Sequence, residues 1–428
     1  TTINHHLKKQ NKIYMMKDLL QDCLIGLKNT NCQRNKPLNV SESIAVLGGG
    51  TVGVMSVCHF LRYTNANVTC IFNSNKKILG IGESSNIQLP QLLWESIKFN
   101  PALEKENLDC TLKYSVFYKN WREKNFHSPI LPNQYALHFN NFKLQSFAFD
   151  RCSKIYKERF KVINEDITLL KDSNTEVTVN THKFDYVIDC RGWPESYDDY
   201  HISKNFPLNK ALVHPIDKPG NWNYTYHHAH KNGWMFGIPL TNRQGWGYLF
   251  NDRITTDDEA VGDLQKILNK KINKNKLNEF KFKPYKSKKL LSNRIIKNGN
   301  RAIFYEPLEA LSGVIYDNIN RLFFDYIANN KSEQQVNYEF DILSQCYENF
   351  IAFVYHGGSI HNSKFWKETK EMTNEHLLNN DTWNSTKSYI KSNNKGLNSF
   401  KDDNINIFPF IPYIWGMLDK NLGYNYFN

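Results

Sequence analysis

The sequence predicts an α/β fold with a mainly parallel sheet, a β-rich layer and C-terminal helices. The chain has 428 residues, of which 40% are hydrophobic and 14% aromatic, so it can bury a large core. Residues 43–72 read as an apolar strand, a glycine-rich turn, a helix pattern and a second apolar strand, which is typical of a βαβ unit in a parallel sheet. A further apolar run, residues 186–190 (YVIDC), predicts another buried strand.

The chain divides into a short extension and one large domain. Residues 1–42 are polar and basic with one amphipathic piece, so we expect an N-terminal extension. Residues 43–428 are expected to form the folded domain. Tryptophan and tyrosine alternate among turns in residues 205–255, which indicates a β-rich layer. From residue 314 onward the pattern is mainly helical, with polar stretches between aromatic residues.

Charge limits the choice of partners. The chain carries 54 Lys and Arg against 42 Asp and Glu, a formal net charge of +12, which favours anionic ligands such as phosphates. Residues 266–301 hold 13 of these basic residues and one acid, Glu279. No nucleic-acid recognition motif accompanies them, so we expect a solvated face rather than a nucleic-acid site.

The apolar stretches, cysteines and histidines of the chain bear on its location and on metal binding. No apolar stretch approaches the roughly 20 residues that a membrane span needs. The eight cysteines form no C-x-x-C pair and several sit in apolar runs, so we expect a cytoplasmic protein. The histidine pairs at residues 5–6 and 227–228 have no acid or cysteine at ligand spacing, so no metal site is predicted.

The first motif, residues 48–53 (GGGTVG), fits G-x-G-x-x-G between a predicted strand and a predicted helix. Glycines let the backbone turn tightly and approach a pyrophosphate that faces the helix N-terminus. A turn without a ligand is the alternative. The strand that follows should end in an acid that binds the ribose, but Asn73 stands there. The candidate cofactor-binding residues are Gly48, Gly50, Thr51, Gly53 and Asn73.

Two further motifs have both structural and functional interpretations. Residues 80–85 (GIGESS) form a glycine-rich turn before an apolar helix that starts near Leu89. Residues 233–239 (GWMFGIP) place Trp234 and Phe236 on one face of a strand, where core packing is the simpler explanation.

The fourth motif, residues 306–313 (EPLEALSG), combines a carboxylate with a predicted helix start. Pro307 and Gly313 favour a loop, and Ser312 is placed to cap a helix that begins at Val314. The N-terminus of such a helix is an anion site, and Glu309 beside it is suited to accept a proton.

In their order along the chain, these motifs resemble the flavin-dependent halogenases of the tryptophan-halogenase type. The resemblance runs from about residue 43 to the C-terminus. The matching segments are residues 48–53 (GGGTVG), 80–83 (GIGE), 188–192 (IDCRG), 234–239 (WMFGIP) and 306–309 (EPLE). Weaker matches are residues 120–122 (NWR), 138–139 (HF) and 365–366 (FW).

The resemblance implies a flavin-monooxygenase-like fold and a known chemical scheme. Reduced FAD, supplied by a separate flavin reductase, reacts with oxygen and halide to give hypohalous acid. This acid crosses a tunnel to an active-site lysine, where an electron-rich aromatic substrate is halogenated with the help of a glutamate. The residues it assigns are Gly82 and Glu83 to the cofactor, Ser312 and Gly313 to the halide, Glu309 to catalysis, and Trp234, Phe236, Ile238 and Pro239 to the tunnel or substrate.

The chain departs from the family pattern at several of these positions. Counted from Gly80 without a gap, the residue in the place of the lysine is Gln91, whose amide can hydrogen-bond hypohalous acid without a positive charge; aligned on Pro90, it is Trp94. Lys98 lies seven residues after Gln91, about 10 Å along a helix axis. Phe236 replaces the second signature tryptophan, and Ala310 replaces the hydroxyl residue after the glutamate.

These departures keep two alternatives open. One is a flavin monooxygenase that hydroxylates its substrate without halide. The other is a flavin-fold protein that has lost its chemistry and serves in binding or assembly.

Overall fold

The computed structural model describes residues 42–76, 84–131, 134–393 and 412–427. Residues 1–41 of the predicted extension lie outside the described residues. The same holds for residues 80–83 of the second motif, which include the candidates Gly82 and Glu83.

The described residues form strands and α-helices that alternate in the first half and become helical toward the end. The strands are β1 (Ser43–Leu47), β2 (Asn67–Phe72), β3 (Thr111–Lys113), β4 (Ser115–Lys119), β5 (Phe126–Pro129), β6 (Ala136–His138), β7 (Phe160–Asn164), β8 (Leu170–Asp172), β9 (Val177–Val179), β10 (His182–Phe184), β11 (Tyr186–Asp189), β12 (Tyr200–Ile202), β13 (Lys210–Ile216), β14 (Tyr224–His230), β15 (Gly233–Pro239), β16 (Gln244–Phe250), β17 (Asn278–Lys281), β18 (Tyr285–Ser287), β19 (Leu291–Ser292), β20 (Ile295–Lys297) and β21 (Ile303–Phe304). The helices are α1 (Thr51–Tyr63), α2 (Gln88–Ile97), α3 (Pro101–Glu104), α4 (Asn141–Tyr156), α5 (Asp257–Leu268), α6 (Leu311–Ile327), α7 (Glu333–Tyr355), α8 (Lys364–Leu378), α9 (Asp381–Asn393) and α10 (Pro412–Leu422).

A mainly parallel sheet lies at the centre, with the strand order β19-β20-β11-β1-β2-β7. All neighbours are parallel except β19 and β20. The four apolar residues of β1 after Ser43 are fully buried, as expected for a strand covered on both faces. The predicted α/β class and parallel sheet are therefore confirmed.

The first βαβ unit is closed by a tight contact between the glycine turn and α1. Gly48 adopts φ +106°, a conformation that glycine reaches without strain. A Cβ on Gly53 would lie 1.9 Å from the carbonyl oxygen of Gly48, so a side chain cannot fit there. Val54, Val57 and Phe60 of α1 pack into the main core at helical spacing.

A second sheet has the strand order β17-β13-β16-β15-β14-β4-β5. Its strands β13 to β16 lie inside residues 205–255, where the sequence predicts a β-rich layer. Side chains on β15 alternate between two cores: Trp234, Phe236 and Ile238 join the main core, whereas Met235 packs with Leu264 of α5 on the opposite face.

Helix α6 packs on α1, α2 and α7, whereas α10 packs against β5 of the second sheet, and Arg122 after β4 connects this sheet to the C-terminal helices. Its guanidinium donates to the carbonyl oxygens of Gly358 and Leu422, each at 2.8 Å. In the described parts of the chain, no helix is long and apolar enough to cross a membrane.

We predict that Gly53→Ala lowers the stability of the fold. The added methyl group must push against the backbone of Gly48, which costs about 1–3 kcal/mol on the scale of other overpacked sites. Gly262→Ala is the matched control, because Gly262 lies within α5 and its Cβ would meet no atom within 4 Å. Chemical denaturation of both variants should show a loss for Gly53→Ala and none for Gly262→Ala; equal stabilities would contradict the steric argument.

Candidate active site

A cavity of about 810 Å³ is lined by residues of both sheets. Its walls come from the glycine turn after β1, the ends of β2 and β7, the face of β15 and the start of α6. Gly48 and Gly50 line it, as do Asn73, Phe236 and Ile238. One wall of the cavity is thus the edge of the parallel sheet at which β1, β2 and β7 end. Ligands of open α/β sheets bind at this edge.

The glycine turn leaves an anion-binding helix end facing this cavity. No side chain caps the N-terminus of α1, and its first turn carries no acid. Its first backbone N–H groups therefore need a partner from outside the helix. A Cβ on Gly50 would meet no atom within 4 Å, so the backbone here is open to a close approach. This geometry fits the pyrophosphate of FAD.

Helix α4 supports the same turn from the side. The Thr51 hydroxyl donates to Oδ1 of Asn141 at 2.6 Å. The Gln145 amide donates to the carbonyl oxygen of Gly49 at 2.5 Å. Two residues of α4 thus hold the turn and the start of α1 in place, and all four residues of these two hydrogen bonds line the cavity.

The sequence lacks the acid expected at the end of β2, but a carboxylate from the segment after the neighbouring strand, β7, lies beside Asn73. The Asn73 amide donates to Oδ2 of Asp166 at 2.9 Å. Asp166 follows β7, whose last residue, Asn164, pairs with Phe72 at the end of β2. Lys76 and Asn73 lower the pKa of Asp166 by hydrogen bonding, so this carboxylate is charged at neutral pH.

The loop with Glu309 has two consecutive residues in the left-handed region. Glu309 has φ +55° and Ala310 φ +54°, conformations that cost residues other than glycine about 1–3 kcal/mol each. The α6 helix begins at Leu311, with Ala310 before it, so the prediction of a start at Val314 capped by Ser312 is wrong. Asn86 holds this turn by donating to the Ala310 carbonyl at 2.7 Å.

The start of α6 is a second open helix end in the same cavity. No side chain caps it and its first turn carries no acid. Ser312 and Gly313, the candidate halide-binding residues, both line the cavity. A Cβ on Gly313 would meet no atom within 4 Å.

Glu309 is buried in an aromatic and basic environment. Its Oε1 accepts a hydrogen bond from the Tyr118 hydroxyl at 2.5 Å. Burial raises the pKa of Glu309, while the charge of Lys113 and the bond from Tyr118 act in the opposite direction. His227 lies against Tyr118 with ring centroids 5.1 Å apart, and burial keeps its pKa well below the usual value.

The signature residues on β15 have different surroundings. Phe236 and Ile238 line the cavity. Trp234 is fully buried and lies outside the cavity lining; its Nε1 donates to the Tyr355 hydroxyl at 2.6 Å. Pro239 also lies outside the lining, and its carbonyl accepts a hydrogen bond from Thr111 at 2.8 Å.

Comparison with known protein families gives a match over most of the chain. The family model described as "Tryptophan halogenase" matches residues 43–179 and 127–414. The two matches together span most of the chain. The chain belongs to this family.

Relatives in the tryptophan halogenase family are distant but cover most of the chain. The tryptophan 6-halogenase ThaL of Streptomyces albogriseolus is 24% identical over 425 residues, covering 78% of this chain and 80% of that protein. The tryptophan 7-halogenase KtzQ of Kutzneria sp. (strain 744) is 22% identical and covers 64% of this chain and 67% of its own length.

Solved structures share the fold. The flavin-dependent halogenase BrvH from Brevundimonas sp. BAL3 superposes with a TM-score of 0.71 at 15% identity and covers 90% of both chains. A tryptophan halogenase from Shewanella frigidimarina NCIMB 400 gives 0.70 at 16% identity, covering 93% of this chain and 90% of its own. The predicted resemblance, the flavin-monooxygenase-like fold and the assignment as a flavin-dependent halogenase-type oxidoreductase using FAD and halide are confirmed.

Gln91, the catalytic candidate expected from the sequence in the place of the family lysine, does not line the cavity. It lies on the exposed face of α2, and its amide donates to Oε1 of Glu95 at 2.9 Å. Trp94 and Lys98 are also exposed, with the Lys98 ammonium 5.7 Å from the Trp94 ring centroid. The face of α2 that is turned to the core carries Leu89, Leu92 and Leu93 among its buried residues. Gln91 lies on the other face, so its side chain does not reach Glu309.

The sequence analysis missed Lys113, Tyr118 and His227, which are buried near Glu309, and Asp166, which is exposed beside Asn73. Lys113 is a single lysine in a short strand, where alternation predicts an exposed side chain as readily as a buried one. Asp166 could have been found, because the carboxyl ends of neighbouring parallel strands meet at one edge. Among the described residues, no cluster of three or more His, Cys, Asp or Glu is arranged to hold a metal ion.

We predict that Glu306→Gln stabilises the protein at neutral pH. Burial raises the pKa of Glu306 to about 8, so the folded state keeps a proton that the unfolded state releases above its ordinary pKa near 4.5. The wild type therefore loses stability as pH rises from about 4.5 to 8, by up to ~1.4 kcal/mol per pH unit. Glutamine retains an oxygen to accept from Tyr355, which donates to Oε1 of Glu306 at 2.8 Å.

Denaturation at pH 5 and pH 7.5 checks this expectation. The stability advantage of Glu306→Gln should grow between the two pH values. Glu195→Gln is the control, because its carboxylate is 78% exposed and its pKa is lowered rather than raised. A constant difference between wild type and Glu306→Gln across this range would show that Glu306 is ionised in the folded protein.

Proposed function

We propose that this protein halogenates a small electron-rich aromatic compound, using halide and oxygen together with reduced FAD that a separate flavin reductase supplies. The observation that carries the proposal is that two uncapped helix N-termini, those of α1 and α6, open into one cavity. An anion at each end accounts for both: the FAD pyrophosphate at α1 and the halide at α6.

FAD is proposed to lie along the cavity from Asp166 to the start of α6. Gly48, Gly50 and Gly53 bring the backbone of the turn close to the pyrophosphate, and Thr51 lies in the first turn of α1. Asp166, held by Asn73, is placed to accept hydrogen bonds from the ribose hydroxyls. Phe236 and Ile238 give the ring system an apolar wall. Once bound and reduced, FAD supplies the chemistry that converts halide and oxygen into hypohalous acid.

The halide is proposed to bind at Ser312 and Gly313. Their backbone N–H groups lie in the first turn of α6, where they have no acceptor within the helix. Glu309 is proposed to accept the proton that the aromatic ring loses on halogenation. Its carboxylate suits this role because Lys113 favours the charged form, whereas burial makes that form a stronger base.

The ribose assignment predicts that Asp166→Asn weakens FAD binding. Hydrogen bonds to a charged acceptor contribute more than those to a neutral amide, so we expect about a 10-fold rise in Kd for FAD. Asp150→Asn is the matched control, because Asp150 lies exposed on α4 away from the cavity. Fluorescence titration with FAD measures both variants. A Kd for Asp166→Asn within twofold of wild type would remove Asp166 from the site.

The catalytic assignment predicts that Glu309→Gln loses halogenation while it still binds FAD. General-base catalysis typically contributes about 10²- to 10⁴-fold, so we expect product formation to fall at least 100-fold. The assay combines a flavin reductase, NADH, FAD, chloride or bromide, and a panel of phenols, indoles and pyrroles, with products identified by mass. Glu123→Gln, an exposed loop residue, is the control.

The same assay decides between the alternatives. A hydroxylated product that forms without halide would establish a flavin monooxygenase. A protein that binds FAD but gives no product from any compound of the panel would support a role in binding or assembly. Halogenated product that persists undiminished in Glu309→Gln would show that another group accepts the proton.

A further inference from the structure

A single side chain of the second sheet holds the carboxylate of Glu309. The hydroxyl of Tyr118, on β4, donates to its Oε1 at 2.5 Å, and both side chains are buried. Among the described residues, this is the one hydrogen bond to the carboxylate, so Oε2 has no donor. The two oxygens of Glu309 therefore differ: one is occupied and the other is available.

The register of the sheet fixes the direction of the Tyr118 hydroxyl. Tyr118 pairs with Phe126 on β5 and with His227 on β14. Its ring stacks on Phe126, with centroids 4.8 Å apart and planes 9° apart, and meets His227 and Trp121 edge to face at 5.1 and 5.4 Å. A ring packed among three others cannot turn its hydroxyl away without moving them, so the bond to Glu309 is built into the sheet.

Tyr118 remains a donor at every pH at which the protein is folded. Burial and the nearby carboxylate raise the pKa of Tyr118 well above its usual value. Its hydroxyl has one proton, which is directed at Oε1 of Glu309. Burial keeps the pKa of His227 well below its usual value, so the imidazole beside the phenol is neutral.

The loop that carries Glu309 offers the carboxylate no such support. The next residue, Ala310, has no hydroxyl, and Asn86 donates to the Ala310 carbonyl rather than to the carboxylate. The charge of Lys113 is the other influence that favours the ionised form of Glu309, against the effect of burial. Because a charge attracts without fixing an orientation, the orientation of the carboxylate depends on Tyr118.

We propose that Tyr118 is a positioning residue for Glu309: it occupies Oε1, leaves Oε2 to take the proton of the aromatic ring, and keeps the carboxylate charged at the pH at which the enzyme works. This inference rests on the proposed function, in which Glu309 accepts that proton. Tyr118 itself touches neither substrate nor cofactor and acts through Glu309 alone.

The proton transfer is balanced without a proton from Tyr118. The C–H bond of the halogenated ring carbon breaks, its electron pair returns to the ring, and the proton forms a bond to Oε2 of Glu309. Tyr118 keeps its own proton on the hydroxyl oxygen throughout. The bond to Oε1 favours the charged carboxylate before the transfer, so its loss must change the pH at which Glu309 can act.

The central experiment compares the pH dependence of halogenation in Tyr118→Phe and Tyr355→Phe. Phenylalanine keeps the packed ring and removes only the hydroxyl, so the pKa of Glu309 should rise by about one to two pH units. The acid limb of kcat/KM should move to higher pH by the same amount, with activity recovering above it. A merely structural loss would lower the activity equally at every pH.

Tyr355→Phe is the matched control. Tyr355 donates to Oε1 of Glu306, the other buried glutamate of the loop, at 2.8 Å. The variant therefore removes the same kind of bond from the neighbouring acid. Its acid limb should lie where that of wild type lies.

A second measurement needs no turnover. Infrared difference spectra, recorded as the pH is lowered, show the band of each carboxyl group as it takes up a proton. The band of Glu309 is the one that is missing in Glu309→Gln. Its midpoint should lie at higher pH in Tyr118→Phe than in wild type and should not move in Tyr355→Phe. Equal midpoints in wild type and Tyr118→Phe would overturn the inference.

The outcomes separate this inference from the proposed function. If wild type gives no halide-dependent product, the proposed function fails, and the infrared titration still decides whether Tyr118 keeps Glu309 charged. If wild type halogenates and the acid limb of Tyr118→Phe does not move, Tyr118 does not position the base. If Tyr118→Phe does not fold, Phe126→Leu, which removes the ring stacked on Tyr118 but keeps the hydroxyl, should move the limb in the same direction by less, and an unmoved limb would again overturn the inference.

Discussion

The half of the cavity beside the glycine turn depends on parallel strand pairing. In a parallel sheet the carboxyl ends of neighbouring strands meet at one edge. Leu47 pairs with Ile71 and with Asp189, and Phe72 pairs with Asn164, so the chain leaves β1, β2, β7 and β11 at the same level. The segments that follow these strands carry the glycine turn, Asn73, Asp166 and Gly192, and all of them line the cavity. The register of the sheet thus assembles this half of the site before any side chain makes a specific contact.

The other half is governed by unpaired positive charge. The open start of α6 and the Lys113 ammonium both face the cavity, and neither has a described carboxylate as a direct partner. Two glutamates lie nearby, but burial raises the pKa of each. A wall with more positive than negative charge attracts anions and polarised oxygens. It is suited to a halide and to the oxygen of hypohalous acid, which differ in charge but share a need for hydrogen-bond donors.

Sequence reasoning was accurate where local pattern determines structure. The strand, turn and helix of residues 43–72 were predictable because apolar periodicity and glycine act over a few residues. The apolar pattern of α2 also shows its buried face and therefore places Gln91 on the exposed face, but the choice of Gln91 rested on alignment with a family motif, which takes no account of helix rotation. Lys113 could not be assigned from the sequence, because the fold brings it to Ser84 from a distant part of the chain, whereas Asp166 could be assigned once β7 was recognised as the neighbour of β2.

The start of α6 shows a different limit of sequence reasoning. Ser312 before a glycine is a common capping pattern, so a helix from Val314 was a reasonable expectation. The structure starts the helix at Leu311 because Glu309 and Ala310 both adopt positive φ and turn the chain early. That conformation is unfavourable for both residues and requires support from elsewhere, which the hydrogen bond from Asn86 to Ala310 and the bond from Tyr118 to Glu309 provide.

This turn gives the two glutamates of one short loop different surroundings. Glu306 precedes it and joins Tyr355 and Trp234 in a buried chain of hydrogen bonds, where a proton on the carboxyl group removes the cost of burying a charge. Trp234 is thereby held in the core on the same face of β15 as Phe236, which lines the cavity. Glu309 lies within the turn and interacts with Tyr118 and with the charge of Lys113, which opposes the effect of burial on its pKa. A neutral carboxyl group suits this buried chain and a charged one suits proton transfer, so the strained turn separates a structural acid from a chemical one within three residues.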